Sequence, residues 1–156
     1  MKIMDFLNPA AISTDLRAAD KKGVVGELVG LLIKSGEIKE KDKEKLVRVL
    51  LEREALGSTG IGQGIGIPHG KFGGVRKLIG ACGISRKGVD FESLDGEVVH
   101  TFFLLVAPED SAGPHLKALA RVSRLLKDKF FRDTLKAAKD EKALIKIIKQ
   151  EDQKKT

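Results

Sequence analysis

The sequence predicts an α/β fold in a single domain: a mixed parallel and antiparallel sheet covered by helices, an α/β sandwich. Three observations carry this. Helical apolar spacing dominates the first third of the chain, two apolar strand-like runs occupy its middle, and helical spacing returns after Pro114. No repeat, linker or low-complexity tract divides the 156 residues, so residues 1–156 are expected to form one domain. A chain of this length hides about 70% of the surface its unfolded form exposes, ample for a core.

Asp20 to Ile33 places Val25, Leu28, Val29 and Leu32 at helical spacing, and Gly36 follows as a stop. A second helix is expected from about Glu40 to Ala55. Its inward stripe is Leu46, Val49 and Leu50; Arg53 stands seven, four and three residues after them and shares their side, whereas Arg48 and Glu52 point away. The glycine-rich segment that follows has room only for short extended pieces. LIGACGIS and VVHTFFLLV then read as strands, the second apolar on both faces and therefore central in the sheet. Between them, Leu94-Asp95-Gly96 supplies turn chemistry, and Asp-Gly suggests a reversal into an antiparallel neighbour. Pro114 suits the first turn of a further helix whose face is traced by Leu116, Leu119, Ala120, Ser123 and Leu126. Short helices are expected to finish the chain.

Composition excludes several function classes. The longest mainly apolar run, Val98 to Val106, is about half of what a membrane helix requires, and the N-terminus MKIMDFLNPAAIS lacks a signal peptide's order, so a cytoplasmic protein without membrane insertion is expected. The single cysteine, Cys82, lies among small and apolar neighbours and reads as a buried thiol. The net charge of +7 raises the question of nucleic acid. Lysines in KEKDKEKLVR and KAAKDEKALIKIIKQEDQKK nevertheless alternate with acids, as on solvated helix faces, and the chain has no Trp or Tyr for stacking. A non-enzymatic nucleic-acid-binding domain therefore stands only as the rival class, and no nucleic-acid partner is expected.

The stretch GSTGIGQGIGIPHG, residues 57–70, carries the chemistry. Glycines permit positive φ and close backbone approach, and bare N–H groups can cradle an anion. Yet Gly70-Lys71 is followed by Phe72 rather than Ser or Thr, which rules out a P-loop, and a dinucleotide fingerprint begun at Gly64 would need a glycine where His69 stands. The loop reads as built around His69. Pro68 fixes its own φ and holds Ile67 extended, so His69 should leave the end of a short strand in a defined direction, with Gly70 keeping its surroundings clear. An imidazole titrating near neutrality offers a nucleophilic nitrogen; a turn histidine without chemical role is the alternative. His69, His100 and His115 lack metal-ligand spacing, and neither metal nor cofactor is expected. Arg53 is either a packing stem or a planar fork for an anion. His115 falls at a helix N-terminus, which favours a neutral ring and attracts anions, but a plain surface residue there would need no explanation. His100, inside the strand run, reads as structural.

Taken together, Arg53-Glu54, Gly57-Ser58-Thr59-Gly60-Ile61-Gly62, Gly64-Ile65-Gly66-Ile67-Pro68-His69-Gly70, Gly88-Val89-Asp90-Phe91, Leu94-Asp95-Gly96, Phe103 to Pro108 and His115-Leu116 resemble the enzyme IIA domain of the fructose/mannitol class of the bacterial phosphoenolpyruvate-dependent phosphotransferase system. The resemblance covers about residues 6–148, the expected core of the domain. It departs at Gly66, where the family usually has alanine. The resemblance implies that His69 accepts a phosphoryl group, that Arg53 and His115 flank it, that Ser58, Thr59 and Gly70 line the loop around it, and that the donor is a small histidine-containing phosphocarrier protein. The downstream partner is then either a regulatory target, as in the stand-alone nitrogen branch that Leu56 to Gly64 and Gly70-Lys71-Phe72 favour, or the IIB domain of a sugar transporter. No attached IIB or membrane domain is expected.

Overall fold

Nine residues, Val99–Ala107, organise the molecule as its central strand. The computed structural model describes residues 1–154, and its elements in chain order are β1 (Leu7–Ser13), α1 (Lys21–Lys34), α2 (Lys43–Ala55), β2 (Gly60–Gly62), β3 (Ile65–Gly66), β4 (His69–Lys71), β5 (Ile79–Val89), β6 (Val99–Ala107), α3 (Ala112–Leu125), α4 (Lys129–Lys136) and α5 (Glu141–Lys154). β6 is antiparallel to β5 on one side, and β5 is parallel to β1. On its other side β6 receives two parallel partners in succession, β3 opposite Thr101 and Phe102, then β4 opposite Leu105 to Ala107. The sheet is therefore mixed and has helices on both faces. Among the described residues no helix is long and apolar enough to cross a membrane.

Alternation along β6 divides the core. Phe102, Leu104 and Val106 pack with Leu28, Leu46 and Leu50 under α1 and α2, while Phe103 and Leu105 pack with Val122, Leu135, Leu144 and Ile148 under α3, α4 and α5. Fully burying side chains of this size stabilises by roughly 1.5–3 kcal/mol each. Cys82 lies in the second layer, wholly buried, and burial pushes its thiol far above the ordinary range. The reversal between β5 and β6 passes through Gly96 at φ 75°, as Asp-Gly chemistry predicts. α1 begins where the Asp20 carboxylate accepts the N–H of Gly23 at 2.8 Å. A short 3-10 turn, Glu40–Asp42, precedes α2 where the sequence predicts continuous helix.

Two expectations are corrected. The buried face of α3 is not the leucine row: Leu116 is 66% exposed, and the inward residues are His115, Ala118, Arg121, Val122 and Leu125. Counting His115 and Arg121 as outward polar residues turns the predicted face the wrong way. Arg121 is nevertheless buried because Asp152, on α5, accepts from its guanidinium at 3.1 Å. The carboxylate of Asp152 also takes the N–H groups of Ile3 and Met4 at 3.0 and 3.1 Å, tying the N-terminal turn to the same point. The last helix is not short either; α5 has fourteen residues, as many as α1.

Candidate functional site

The glycine-rich segment is first of all a hairpin. β2 and β3 are joined by Gln63 and Gly64, both at positive φ (59° and 79°), the backbone a two-residue type I′ turn needs. The strain at Gln63 is held by its N–H, which donates to the Asp95 carboxylate at 2.9 Å. Other groups in the segment are similarly engaged. The Ser58 hydroxyl donates to the carbonyl of Phe91 at 2.6 Å and accepts the N–H of Gly60 at 3.0 Å. The hydroxyl and N–H of Thr59 both donate to the carboxylate of Glu54. Ser58 and Thr59 thus stitch the loop to its surroundings, and their polar groups face protein partners.

Beyond β3 the chain passes Pro68, which has no N–H to place in the ladder but whose carbonyl accepts from Leu105 at 3.0 Å. His69 then opens β4 rather than leaving a strand as the sequence predicts, because β6 is long enough to seat a second parallel partner. Gly70 serves α2: a Cβ there would stand 3.2 Å from Val49 and 3.4 Å from Leu50. Its missing side chain brings the helix carrying Arg53 against the strand carrying His69.

The His69 ring is oriented by a backbone group two residues away. Its Nδ1 lies 2.7 Å from the carbonyl oxygen of Ile67. A carbonyl only accepts, so Nδ1 carries the hydrogen and Nε2 keeps the lone pair in the neutral ring. Ile67 is itself buried, and its N–H donates to Thr59 at 2.9 Å. The His115 ring stands edge-to-face to His69 with centroids 5.4 Å apart. His115 is buried in the first turn of α3, and its Nε2 has no protein partner among the described residues. Burial pushes His69 below its ordinary value of 6.5; the Ile67 carbonyl and Glu54 carboxylate oppose the shift and the Arg53 charge adds to it. His115 is lowered by burial first, then by His69 and Lys71. Both shifts favour the neutral ring.

Arg53 sits in the last turn of α2, half-buried, and donates through one Nη to the carbonyl of Gly57 at 2.9 Å. Its other N–H groups have no protein partner among the described residues. The structure thus gathers His69, His115 and Arg53, whereas His100 bonds the carbonyl of Ser85 at 2.9 Å from its own strand. Two further contributors carry no role in the sequence-based expectations. Lys71 acts on His115 from two residues beyond His69, where alternation along a strand gives the signal. Glu54 stands in the Arg53-Glu54 signature without a role; buried on a mainly polar helix, it holds Thr59 five residues on and pairs with Lys21 at 3.2 Å.

A neutral imidazole with a free nitrogen, a second neutral ring lacking a partner, an arginine fork and the N-terminus of a fourteen-residue helix can present a nucleophile to a phosphoryl centre and balance the charge on its oxygens. Comparison with known proteins agrees with such chemistry. Residues 5–151 match the family described as phosphoenolpyruvate-dependent sugar phosphotransferase system, EIIA 2. A nitrogen regulatory protein of Bradyrhizobium diazoefficiens is 39% identical over 148 residues, covering 95% of both chains. The fructose-specific EIIABC component of Bacillus subtilis is 40% identical over 152 residues, 97% of this chain and 24% of that one. The crystal structure of the nitrogen regulatory protein IIA-Ntr from Neisseria meningitidis shares the fold at a TM-score of 0.84, with 32% identity over 94% of this chain and 98% of that one. The chain belongs to the EIIA type 2 family of the phosphoenolpyruvate-dependent phosphotransferase system, as a IIA domain with nitrogen-regulatory and fructose-specific relatives.

Proposed function

We propose that His69 accepts the phosphoryl group on Nε2 from a histidine-containing phosphocarrier protein in the cytoplasm. The supporting observation is the 2.7 Å bond from Nδ1 to the Ile67 carbonyl, which leaves Nε2 with its lone pair. The Nε2 lone pair forms the new bond to phosphorus while the donor's P–N bond breaks, and the donor imidazole leaves with that electron pair. No proton has to leave the nucleophile first, because it already sits on Nδ1. The Arg53 fork and the unpartnered Nε2 of His115 take the phosphoryl oxygens, with Ser58, Thr59 and Gly70 shaping the loop and the helix contact around them. Positioning and charge stabilisation then supply the catalysis, as phosphoryl transfer requires.

Downstream, the reading best supported is that of a stand-alone regulator, in line with the nitrogen regulatory relatives that match over nearly their whole length. Transfer to a IIB domain of a fructose-type transporter is the second reading, supported by the 40% identity to a fructose-specific component. Incubation with phosphoenolpyruvate, the first enzyme of the system and the phosphocarrier should add one acid-labile phosphoryl group, on Nε2 by heteronuclear NMR, and none to His69→Ala. Labelling of that variant, or phosphate on Nδ1, overturns the assignment. A pull-down with phosphorylated, unphosphorylated and His69→Ala protein separates the two downstream readings. Partners that change with phosphorylation state support regulation; unchanged partners with rapid transfer to a IIB protein support transport.

A further inference from the structure

Glu54 is a carboxylate in an unfavourable place. It is 5% exposed and lies in the last turn of α2, where burial disfavours its charge and the negative end of the helix dipole opposes an acid. A well-packed apolar side chain would serve the fold at least as well there. What the carboxylate adds is its set of partners. It accepts both the hydroxyl and the N–H of Thr59, the latter at 3.1 Å, and pairs with Lys21 at 3.2 Å. Lys21 comes from α1, is shared with Glu92 at 3.2 Å and stands 4.9 Å over the Phe91 ring. The carboxylate therefore joins α1, α2 and the glycine-rich segment at one point.

From that point two hydrogen bonds lead to the nucleophile. The carbonyl of Thr59 accepts the N–H of Ile67 at 2.9 Å, and the carbonyl of Ile67 accepts the Nδ1 hydrogen of His69 at 2.7 Å. Thr59 and Ile67 are each 3% exposed, so water does not compete for the first of these bonds. The same helix holds both ends of the segment: Arg53 takes the carbonyl of Gly57, and Val49 and Leu50 close on Gly70. An imidazole without such a contact carries its hydrogen mostly on Nε2, which would withdraw the lone pair from the transferring nitrogen.

We propose that Glu54 is a positioning residue for phosphoryl transfer: by fixing Thr59 it keeps the Ile67 carbonyl where it holds the His69 hydrogen on Nδ1, and Lys21 holds Glu54 in turn. This deepens the reading of His69 Nε2 as the phosphoryl acceptor and rests on it. Glu54 forms no hydrogen bond with His69 among the described residues, so its influence passes through the loop and is separable from the charge it presents to the ring. A second layer of contacts that locks the reacting group is what precise transfer geometry requires.

Long-range proton–nitrogen NMR of the unphosphorylated ring, well above its titration, reads the tautomer directly. Glu54→Ala should raise the share of the Nε2–H form severalfold, whereas Glu54→Gln, whose amide oxygen still accepts from Thr59, should stay near the native ratio although it lacks the charge. Thr59→Val should shift the ratio in the same direction by less, and Thr59→Ser should reverse that shift. Asp95→Ala, which frees the N–H of Gln63 at the far end of the hairpin, should leave both tautomer and transfer unchanged. In transfer assays Glu54→Ala should lower the maximal rate about tenfold without changing the phosphocarrier concentration at half-maximal rate, because a buried carboxylate lies outside the donor's contact surface. A native tautomer ratio in Glu54→Ala, an equal shift in Glu54→Gln, or an equal shift in Asp95→Ala overturns the proposal. Should Glu54→Ala fail to fold, Thr59→Val decides, and a native ratio there overturns it. The tautomer series needs no phosphocarrier: a native chain that takes no phosphate counts against the transfer reading, and an unshifted ring in these variants counts against Glu54.

Discussion

The two ends of α3 each bury a polar side chain, with opposite results. At its first turn His115 is 7% exposed with an unpartnered Nε2, beside a second imidazole and a half-engaged arginine. Two turns on, Arg121 is 4% exposed and meets both the carboxylate and the main-chain carbonyl of Asp152, which also anchors the N-terminal turn. The difference teaches which polar group belongs to architecture and which waits for a ligand. A buried group whose partner comes from the fold fixes the fold, whereas one left without a partner costs stability until something outside supplies the missing bond.

The largest effect should come from breaking the answered end. Asp152→Ala removes the carboxylate from a buried cation and leaves two backbone N–H groups without their acceptor, and it should cost about 3–5 kcal/mol in urea unfolding. Replacing Arg121 and Asp152 together by Met and Leu should recover the part of that loss due to the uncompensated buried cation, while the N–H groups of Ile3 and Met4 stay without their acceptor. A single-variant loss below about 1 kcal/mol would remove the distinction drawn between the two ends.

The other end should behave in reverse, with function lost and the fold retained. Charge-assisted hydrogen bonds are worth about 1.5–3 kcal/mol, so His115→Ala or Arg53→Ala should slow phosphoryl transfer roughly ten- to a hundredfold. Arg53→Lys should also be impaired, since a point charge cannot hold both Gly57 and a phosphoryl oxygen as a fork does. Stopped-flow transfer from the phosphocarrier, with unfolding curves alongside, checks both halves.

That asymmetry also marks what the sequence can show. The two long strands and the first two helices are legible because their partners are apolar and their spacing is local; β1, Leu7–Ser13, is not, because the run is short and interrupted by Asn8 and Pro9. His69 is legible because Pro68 and Gly70 confine it within three residues. The face of α3 is not, because burying Arg121 depends on a residue 31 positions away. The outer face of α5 fails for the same reason: acids and lysines alternate in the chain, and only tertiary contacts reveal that Glu151 and Asp152 turn inward. Ser58 and Thr59, which the resemblance places in the loop around the phosphoryl group, use their side chains to hold Phe91, Gly60 and Glu54, contacts that no local pattern announces.

Acid should sharpen the comparison more gently. Both histidines at the site are lowered from 6.5, so on acidification the unfolded chain takes up protons before the folded one does. The stability they confer is fully present above about 6.5 and is lost as pH falls through their folded values. Transfer to His69 should accordingly hold its rate below the ordinary histidine range and fall only at lower pH. Arg53→Ala removes a cation that lowers His69 and should move the fall to higher pH; Glu54→Gln removes an opposing carboxylate and should move it to lower pH. NMR titration of the His69 ring reads both, and shifts of the same sign in the two variants would contradict the charge arrangement.

The smallest effect is expected at Gly66, where the family usually has alanine. Its φ is not positive, so the backbone accepts a methyl, and alanine should stabilise by about 0.4–1 kcal/mol through the unfolded chain. Against this, the new Cβ would stand 3.1 Å from the Phe102 ring and 3.3 Å from Val99. Phe102 is fully buried and set edge-to-face on Phe91 with centroids 5.2 Å apart, so it has little room to yield. Crowding of a packed core typically costs about 1–3 kcal/mol, and a shift of a few tenths of an ångström belongs at the low end of that range. The two contributions nearly cancel, and Gly66→Ala should change unfolding free energy by less than about 1 kcal/mol. His69 is connected to this position only through Ile67 and Pro68, whose carbonyls are held by the His69 ring and by Leu105, so transfer should run at the native rate. A tenfold change in transfer with stability unaltered would mean that the glycine sets the pose of His69 through the strand, and that the boundary between architecture and site lies three residues upstream of the imidazole.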